Sequence, residues 1–171
     1  VRHADYTYTV DMVARVIHVV ADVRVANDSA DGARACFTDF RLKVPATATG
    51  FRATNRSTVA PTDLIPAAPG ATVTDLEVTL EDCLDYGRQE ALKVTYDLPS
   101  GAARSNAPAR IGDGYFAFLA WGAGRAGGTT ITVVAPSDFT IGSLGADWRV
   151  RVEGATTSYV KLGVADPSTY Q

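Results

Sequence analysis

The sequence of 171 residues has few of the side chains on which most catalytic sites depend. It contains two histidines, His3 and His18, and two cysteines, and neither cysteine lies in a Cys-x-x-Cys pattern. A zinc hydrolase needs several clustered ligands, and a Ser-His-Asp enzyme needs a positioned histidine. We therefore expect no catalytic residue, no cofactor-binding residue, no bound cofactor and no metal ligand in this chain.

The sequence also lacks a long apolar run and an excess of basic residues. About 20 consecutive apolar residues are needed for a transmembrane helix, so no membrane span is expected. The net charge is -3 and the isoelectric point is about 5.3. Nucleic-acid binders usually carry a basic face, so nucleic acid is not expected as a partner. Hydrophobic residues make up 46% of the chain, which is enough for a globular core.

Lysine is scarce while Ala, Val, Arg, Asp, Thr and Gly are abundant, a bias typical of bacteria with GC-rich genomes. Cys36 and Cys83 would be free thiols in a reducing compartment, but in an exported bacterial domain they could form one disulfide. We predict the Cys36–Cys83 disulfide and an extracellular or cell-surface location.

No stretch shows the periodicity of an amphipathic helix, and the dominant period is two. Apolar residues alternate with polar ones in residues 17–25, 76–81, 92–98 and 148–152. Strands at roughly ten-residue spacing predict an all-β fold, either an antiparallel β-sandwich or a curved open sheet, with little helix. Residues 1–163 are predicted to form a single β-domain, and residues 164–171 a linker or the start of a following domain.

Three segments depart from this alternation. Residues 115–121 are apolar at every position, which predicts a central strand covered on both sides. Residues 102–114 and 59–70 are rich in proline, glycine and polar residues, and we expect a long loop and an irregular connection there.

Two short motifs imitate catalytic or cofactor sites. Residues 122–127 match Gly-x-Gly-x-x-Gly, but a strand-like run follows them instead of the helix that a dinucleotide site requires. Residues 158–161 match Ser-x-x-Lys, which needs a helix to bring the two side chains onto one face. A hairpin loop and a surface hairpin are the better interpretations.

Further residues leave binding functions open. Glu81, Asp82 and Asp85 lie near a turn and could offer carboxylates to calcium, whereas Asp75 and Glu77 are expected on a solvated strand face. A dense group of aromatic residues could stack on sugars, but such rings are more often core; the group is Tyr6, Tyr8, Tyr115, Phe116, Phe118 and Trp121. Asn27-Asp28-Ser29 and Asn55-Arg56-Ser57 fit a glycosylation pattern that matters only in a eukaryotic secretory pathway.

Several segments together carry a resemblance to a known family. They are residues 5–11 (Asp-Tyr-Thr-Tyr-Thr-Val-Asp), 25–28, 90–99, 109–118 and 133–139. Their strand patterns resemble the N-terminal β-domain of aminopeptidase N-like (gluzincin) metallopeptidases, as in actinobacterial secreted peptidase-like proteins. In that family the His-Glu-x-x-His zinc motif lies in a later domain, and it is absent here. The resemblance implies a non-catalytic domain and transfers no catalytic residue.

The function predicted from these observations is that of an accessory β-domain of an exported bacterial metallopeptidase-like protein. It would dock to a downstream catalytic domain or shape its cleft. The alternative is a free-standing extracellular binding or adhesion module that contacts cell-wall glycan or a surface protein. The predicted interface, chosen for residue types enriched in interfaces, comprises Trp148, Arg149, Arg151 and Tyr159. The alternative for these residues is an ordinary terminal hairpin in which Trp148 is core and the arginines are solvated.

Overall fold

The computed structural model describes residues 1, 3–28, 36–56, 58–102, 107–122, 128–140 and 148–163. These residues contain no helix, and their regular structure consists entirely of strands. The strands are β1 (His3–Asp11), β2 (Val16–Ala26), β3 (Phe37–Pro45), β4 (Thr49–Asn55), β5 (Thr58–Ala60), β6 (Thr62–Ile65), β7 (Val73–Leu84), β8 (Gln89–Pro99), β9 (Ala109–Gly112), β10 (Tyr115–Phe118), β11 (Thr129–Pro136), β12 (Trp148–Glu153) and β13 (Thr156–Lys161).

Eight of the strands form one large sheet in the order β12-β13-β11-β1-β2-β8-β4-β5. A small sheet has the order β3-β7-β6, and β9 and β10 form a separate hairpin. The inner face of the large sheet and that of the small sheet share one hydrophobic core. The predicted all-β fold with little helix is therefore confirmed.

The strand pairing departs from the antiparallel expectation at one place. β1 pairs with β11 in parallel, from Ala4 opposite Thr129 to Thr9 opposite Val134. The other described pairs are antiparallel. A parallel pair requires a long crossover connection, and here the chain forms nine other strands between β1 and β11.

The alternation in the sequence correctly identifies the buried faces. Leu92, Val94 and Tyr96 of β8 are at most 3% exposed, and Lys93 between them is exposed. The corresponding residues of β7, Leu76, Val78 and Leu80, are at most 5% exposed. Each such side chain contributes about 1.5–3 kcal/mol by leaving water, so the period of two fixes which face is inward.

Residues 115–121 are not a central strand. Only residues 115–118 form a strand, β10, which pairs with β9 alone in the two-stranded hairpin. Phe116 and Phe118 pack against the core, whereas Tyr115 is 50% exposed. The aromatic run therefore covers the end of the core with one face, and an apolar run alone cannot distinguish this from a fully buried strand.

Two further expectations of irregular structure were wrong in part. Residues 59–70 include the short strand β6, which pairs with β7. Residues 102–114 include β9. Both strands are only four residues long, too short for their alternation to be visible beside proline and glycine.

A buried asparagine fixes the turn between β7 and β8. Asn27 is 0% exposed, and its side-chain amide donates to the carbonyl of Leu84 at 2.9 Å. Its backbone carbonyl accepts from Gly87 N–H at 2.8 Å, where Gly87 has a φ of 75°. These bonds satisfy a buried amide that would otherwise be costly. They also leave the Asn27 side chain inaccessible to glycosylation in the folded chain.

Candidate interdomain interface

The residues predicted as an interface lie in β12 and β13, at one edge of the large sheet. Arg149 and Arg151 are exposed on the outer face, opposite Val160 and Ser158 of β13. Trp148 is half-buried against the core, and Tyr159 is 5% exposed. The structure thus brings the four residues onto two neighbouring strands but places the two arginines on one face and the two aromatic rings on the other.

Two valines that the sequence analysis did not single out extend this edge. Val150 and Val152 are 53% and 67% exposed, although they lie opposite Tyr159 and Thr157, which are buried. Alternation alone predicts that these valines are buried. The Tyr159 hydroxyl donates to the carbonyl of Phe139, whose ring packs on Phe116, whereas Val150 and Val152 lie one strand further out, on the edge strand. No signal in the sequence could have found them, because only the fold shows that this strand lies at a sheet edge.

The charge on this edge is positive. Arg151 pairs with Glu153 at 2.7 Å, and their side chains are 79% and 51% exposed. An exposed pair of this kind contributes about 0–1 kcal/mol and leaves the guanidinium able to exchange partners. In a chain with a net charge of -3, Arg149 and Arg151 thus form a small cationic strip beside the apolar one.

Tyr8 anchors the chain that follows β10. Its hydroxyl donates to the carbonyl of Trp121 at 2.5 Å and accepts from the N–H of the same residue at 3.2 Å. Burial raises the pKa of Tyr8 far above its ordinary value, and nearby Tyr6 adds to the rise. Burial likewise raises the pKa of Tyr96. Tyr8 therefore stays protonated and can donate at any physiological pH.

The segment beside this anchor leaves no room for another side chain. A Cβ added at Gly122 would lie 2.3 Å from Cγ2 of Thr129 and 2.9 Å from Cδ2 of Tyr6. Gly122 starts the Gly-x-Gly-x-x-Gly pattern, whose other residues, 123–127, lie outside the described residues. β11 begins at Thr129, so a strand follows the pattern, unlike a dinucleotide site. The predicted hairpin loop is wrong, because β10 and β11 belong to different sheets and the segment connects the two.

Both histidines pair with carboxylates on the outer face of the large sheet. His18 Nδ1 lies 2.7 Å from Asp97 Oδ1, and His3 Nε2 lies 3.0 Å from Asp5 Oδ2. The His18 and Asp97 side chains are 49% and 44% exposed. These are solvent-exposed cross-strand and same-strand pairs.

Thr9 lies opposite His18 on the side away from Asp97, so the order Thr-His-Asp across three strands imitates a triad. Among the described residues no hydrogen bond joins Thr9 to His18. The strands are paired on both sides there, so their N–H groups serve the sheet and form no oxyanion hole. The arrangement lacks the parts that a nucleophilic site needs.

The acidic residues between positions 75 and 85 lie in two different environments. On the small sheet, Asp75 pairs with Lys43 at 2.8 Å and Glu77 with Arg41 at 3.1 Å, which is the solvated face that the sequence indicated. Glu81, Asp82 and Asp85 are exposed. In the described part of the chain, no three carboxylate, histidine or cysteine side chains converge to hold a metal ion.

Glu90 has an unusual environment near those carboxylates. Partial burial raises its pKa, and the charges of Asp82 and Glu81 add to the rise. Asn55 donates a hydrogen bond to it, which opposes the shift.

The remaining candidate residues have structural positions. Ser158 and Lys161 lie in the strand β13, so the Ser-x-x-Lys pattern has no helix to align it. Of the six aromatic residues considered for sugar stacking, Tyr6 and Tyr8 are 1% exposed and Tyr115 is 50% exposed. The other three are half-buried. These rings consequently form no shared platform for a glycan.

A shallow cleft lies at the end of the sheet where the β1–β2 turn meets the β9–β10 turn. Its volume is about 560 Å³, and Arg15, Ser100 and Tyr115 are among its lining residues. Arg15 has a φ of 53° and pairs with Asp113 at 2.7 Å across the two turns. The Ser100 hydroxyl accepts from the N–H of Ile111, so it serves the backbone and offers little to a ligand.

Comparison with solved structures identifies the fold. The chain is similar to an M1 zinc metallopeptidase from Deinococcus radiodurans, crystallised as a variant bound to a Tyr-Ser-Ala substrate, with 14% identity and a TM-score of 0.55. It is also similar to native leukotriene A4 hydrolase from Saccharomyces cerevisiae, with 10% identity and a TM-score of 0.53. At these identities the likeness establishes a shared fold, and it confirms the resemblance to the β-domain of such metallopeptidases.

The two likenesses share a pattern of coverage. Each includes 95% of this chain but only 38% of the Deinococcus protein and 26% of the yeast protein. The chain therefore spans well under half the length of the structures that it matches. No family model matches the sequence, and no curated protein matches it either.

Proposed function

We propose that this chain is a non-catalytic accessory β-domain of an exported bacterial metallopeptidase-like protein. It docks to a downstream catalytic domain or shapes the cleft of that domain. The observation that carries this proposal is the coverage: a fold that accounts for 95% of this chain accounts for 38% of an M1 zinc metallopeptidase. A domain that forms only part of such peptidases suggests a partner domain in the same polypeptide.

The chemistry of the described residues favours a structural, protein-binding role over a catalytic one. His3 and His18 each pair with one carboxylate on an exposed sheet face, and the described residues offer no metal-ligand cluster. The apolar and cationic edge formed by β12 is better suited to binding another protein surface, because such edges pair readily with other chains.

Export is part of the proposal, and the disulfide supports it. Cys36 and Cys83 are joined in the structure, with their Cα atoms 5.4 Å apart. Structural disulfides persist mainly in oxidising compartments. No helix in the described part of the chain could span a bilayer.

The proposal is tested on the complete reading frame that contains this chain. We expect it to encode a His-Glu-x-x-His motif after residue 171. The purified product should bind one zinc ion and cleave peptides, and a version without residues 1–163 should keep the motif but lose activity or thermal stability. A reading frame with repeated β-domains and no such motif would instead favour an adhesion module.

A second measurement separates docking from mere linkage. The melting temperature of residues 1–163 is compared within the complete product and alone. Docking predicts a single, higher transition in the complete product, because interdomain contacts stabilise both partners. Two transitions at the temperatures of the separate domains would contradict docking.

A further inference from the structure

The edge strand β12 lacks most of the devices that protect the edge of a sheet, although its outer face carries charged side chains. Among the described strands it has one neighbour, β13, and the register from Trp148 opposite Lys161 to Glu153 opposite Thr156 is continuous. It contains no proline and no bulge, and its apolar side chains Val150 and Val152 are exposed. Natural edge strands are blunted by shortness, proline, bulges, charged side chains, inward-pointing charges or a covering element. In β12 the charged side chains all lie on the outer face and the inward-facing row is apolar, so its regular edge is a template for pairing with a strand of complementary charge.

We propose that β12 accepts an added strand from the catalytic domain, so that the large sheet gains a ninth strand. The inference rests on the function proposed above and specifies how the two domains meet. The added strand alternates acidic and apolar residues. Its acidic side chains face Arg149 and Arg151, and its apolar side chains cover Val150 and Val152.

The two faces of β12 dictate this alternation. Side chains of successive residues in a strand point to opposite faces, so a neighbouring strand presents one row to the arginines and the other to the valines. Opposite charges on directly opposed residues stabilise a sheet by about 0.2–1 kcal/mol per pair, as do apolar pairs. A strand with basic residues in the same row would be repelled.

The charge pattern argues against a second copy of β12 in two of three self-pairings. Facing residues must lie on the same side of the sheet, so self-pairing in antiparallel can overlap over residues 148–152 or 149–153. The first register places Arg149 opposite Arg151, and parallel self-pairing in register places each arginine opposite its own copy, so both oppose like charges, which destabilises a sheet. The register over 149–153 places Arg151 opposite itself but Arg149 opposite Glu153 at both ends, so charge alone does not oppose it.

The small size of the edge favours a partner in the same polypeptide. A stable complex of separate proteins buries about 1,200–2,000 Å². A strand of six residues offers much less. Covalent linkage raises the effective concentration of the partner to the millimolar range, so that a short added strand can stay bound.

Residue-resolved hydrogen exchange on the complete polypeptide and on this chain alone tests the inference. In an edge strand alternate N–H groups point away from the sheet, so in the isolated chain every second β12 amide should exchange rapidly. In the complete polypeptide these amides should slow by on the order of 100-fold, because a strand bond must open before exchange.

Charge variants supply the matched control. Arg149→Glu with Arg151→Glu should lose about tenfold or more of this protection. Arg24→Glu with Arg52→Glu reverses two exposed arginines on the outer face of interior strands, and it should leave β12 unchanged.

Each other outcome has a defined meaning. If the outward β12 amides stay fast while a different surface of this chain gains protection, docking stands and strand addition is wrong. If no surface gains protection, the proposed function fails together with the inference. If the β12 amides are protected in the isolated chain and become fast on dilution, the occupant is a second copy and the inference is overturned.

Discussion

Removing the disulfide should lower stability through the unfolded state. The bond joins Cys36, just before β3, to Cys83 in β7, 47 residues further along. The closed loop passes through both sheets, since β4 and β5 belong to the large sheet. Replacing both cysteines by serine should leave the native small sheet in place, because β3 and β7 stay paired from Asp39 to Pro45.

The expected loss follows from the length of that loop. In the chain-entropy model, closing a loop of this length removes about 14 cal/mol/K from the unfolded chain, or about 4 kcal/mol at 25 °C. A domain of this kind is stable by about 5–15 kcal/mol in total. The double variant should therefore retain its fold but unfold at a much lower denaturant concentration.

Equilibrium unfolding in urea, followed by tryptophan fluorescence, measures the difference. The oxidised wild type is compared with Cys36→Ser/Cys83→Ser and with the wild type under reductant, which should agree with each other. The dependence of the unfolding free energy on urea should also steepen, because the unlinked chain exposes more surface. A loss below about 1 kcal/mol with an unchanged slope would refute the entropic reasoning.

Three further outcomes are expected. Tyr8→Phe removes the hydroxyl that both donates to and accepts from the Trp121 backbone, and it should lower the unfolding free energy by about 1–3 kcal/mol; equal stability would show that water replaces it. Gly122→Ala should destabilise by about 1–3 kcal/mol, because the added Cβ meets Thr129 at 2.3 Å, and an unchanged melting temperature would contradict that contact. Glu90→Gln should raise the melting temperature at neutral pH and not in acid. The folded-state pKa of Glu90 is raised, so the wild type loses stability as pH rises through it, and a pH-independent difference would argue against this origin.

The sequence predicts the inner faces well because burial and alternation are local properties. In β8 the identity of each residue already shows which side is wet, and Leu92 and Lys93 lie where the period places them. The parallel pairing of β1 with β11 is not a local property. It depends on which of many strands distant in sequence come together, and neither strand carries a residue that specifies its neighbour.

The sheet edge formed by β12 and β13 also has some features that local sequence predicts and others that depend on tertiary structure. The exposure of Arg149 and Arg151 follows from their place in an alternating strand. The exposure of Val150 and the burial of Tyr159 do not, because the two residues lie opposite each other on the same face and differ only in what the rest of the chain packs against them. The width of a covering layer is a tertiary property, so sequence reasoning could name this region but not which of its side chains face the solvent.

The central place of β1 has a consequence for synthesis. The first strand of the chain lies between β2, which follows it at once, and β11, which spans Thr129–Pro136. While the chain is being made or exported, one side of β1 must wait unpaired until most of the later strands have emerged. Over that interval Tyr8 lacks Phe118, whose ring lies 5.5 Å from its own in the finished fold. A holding chaperone or a translocase that keeps the chain extended would suit this order of assembly, since unpaired strands exposed during synthesis invite aggregation.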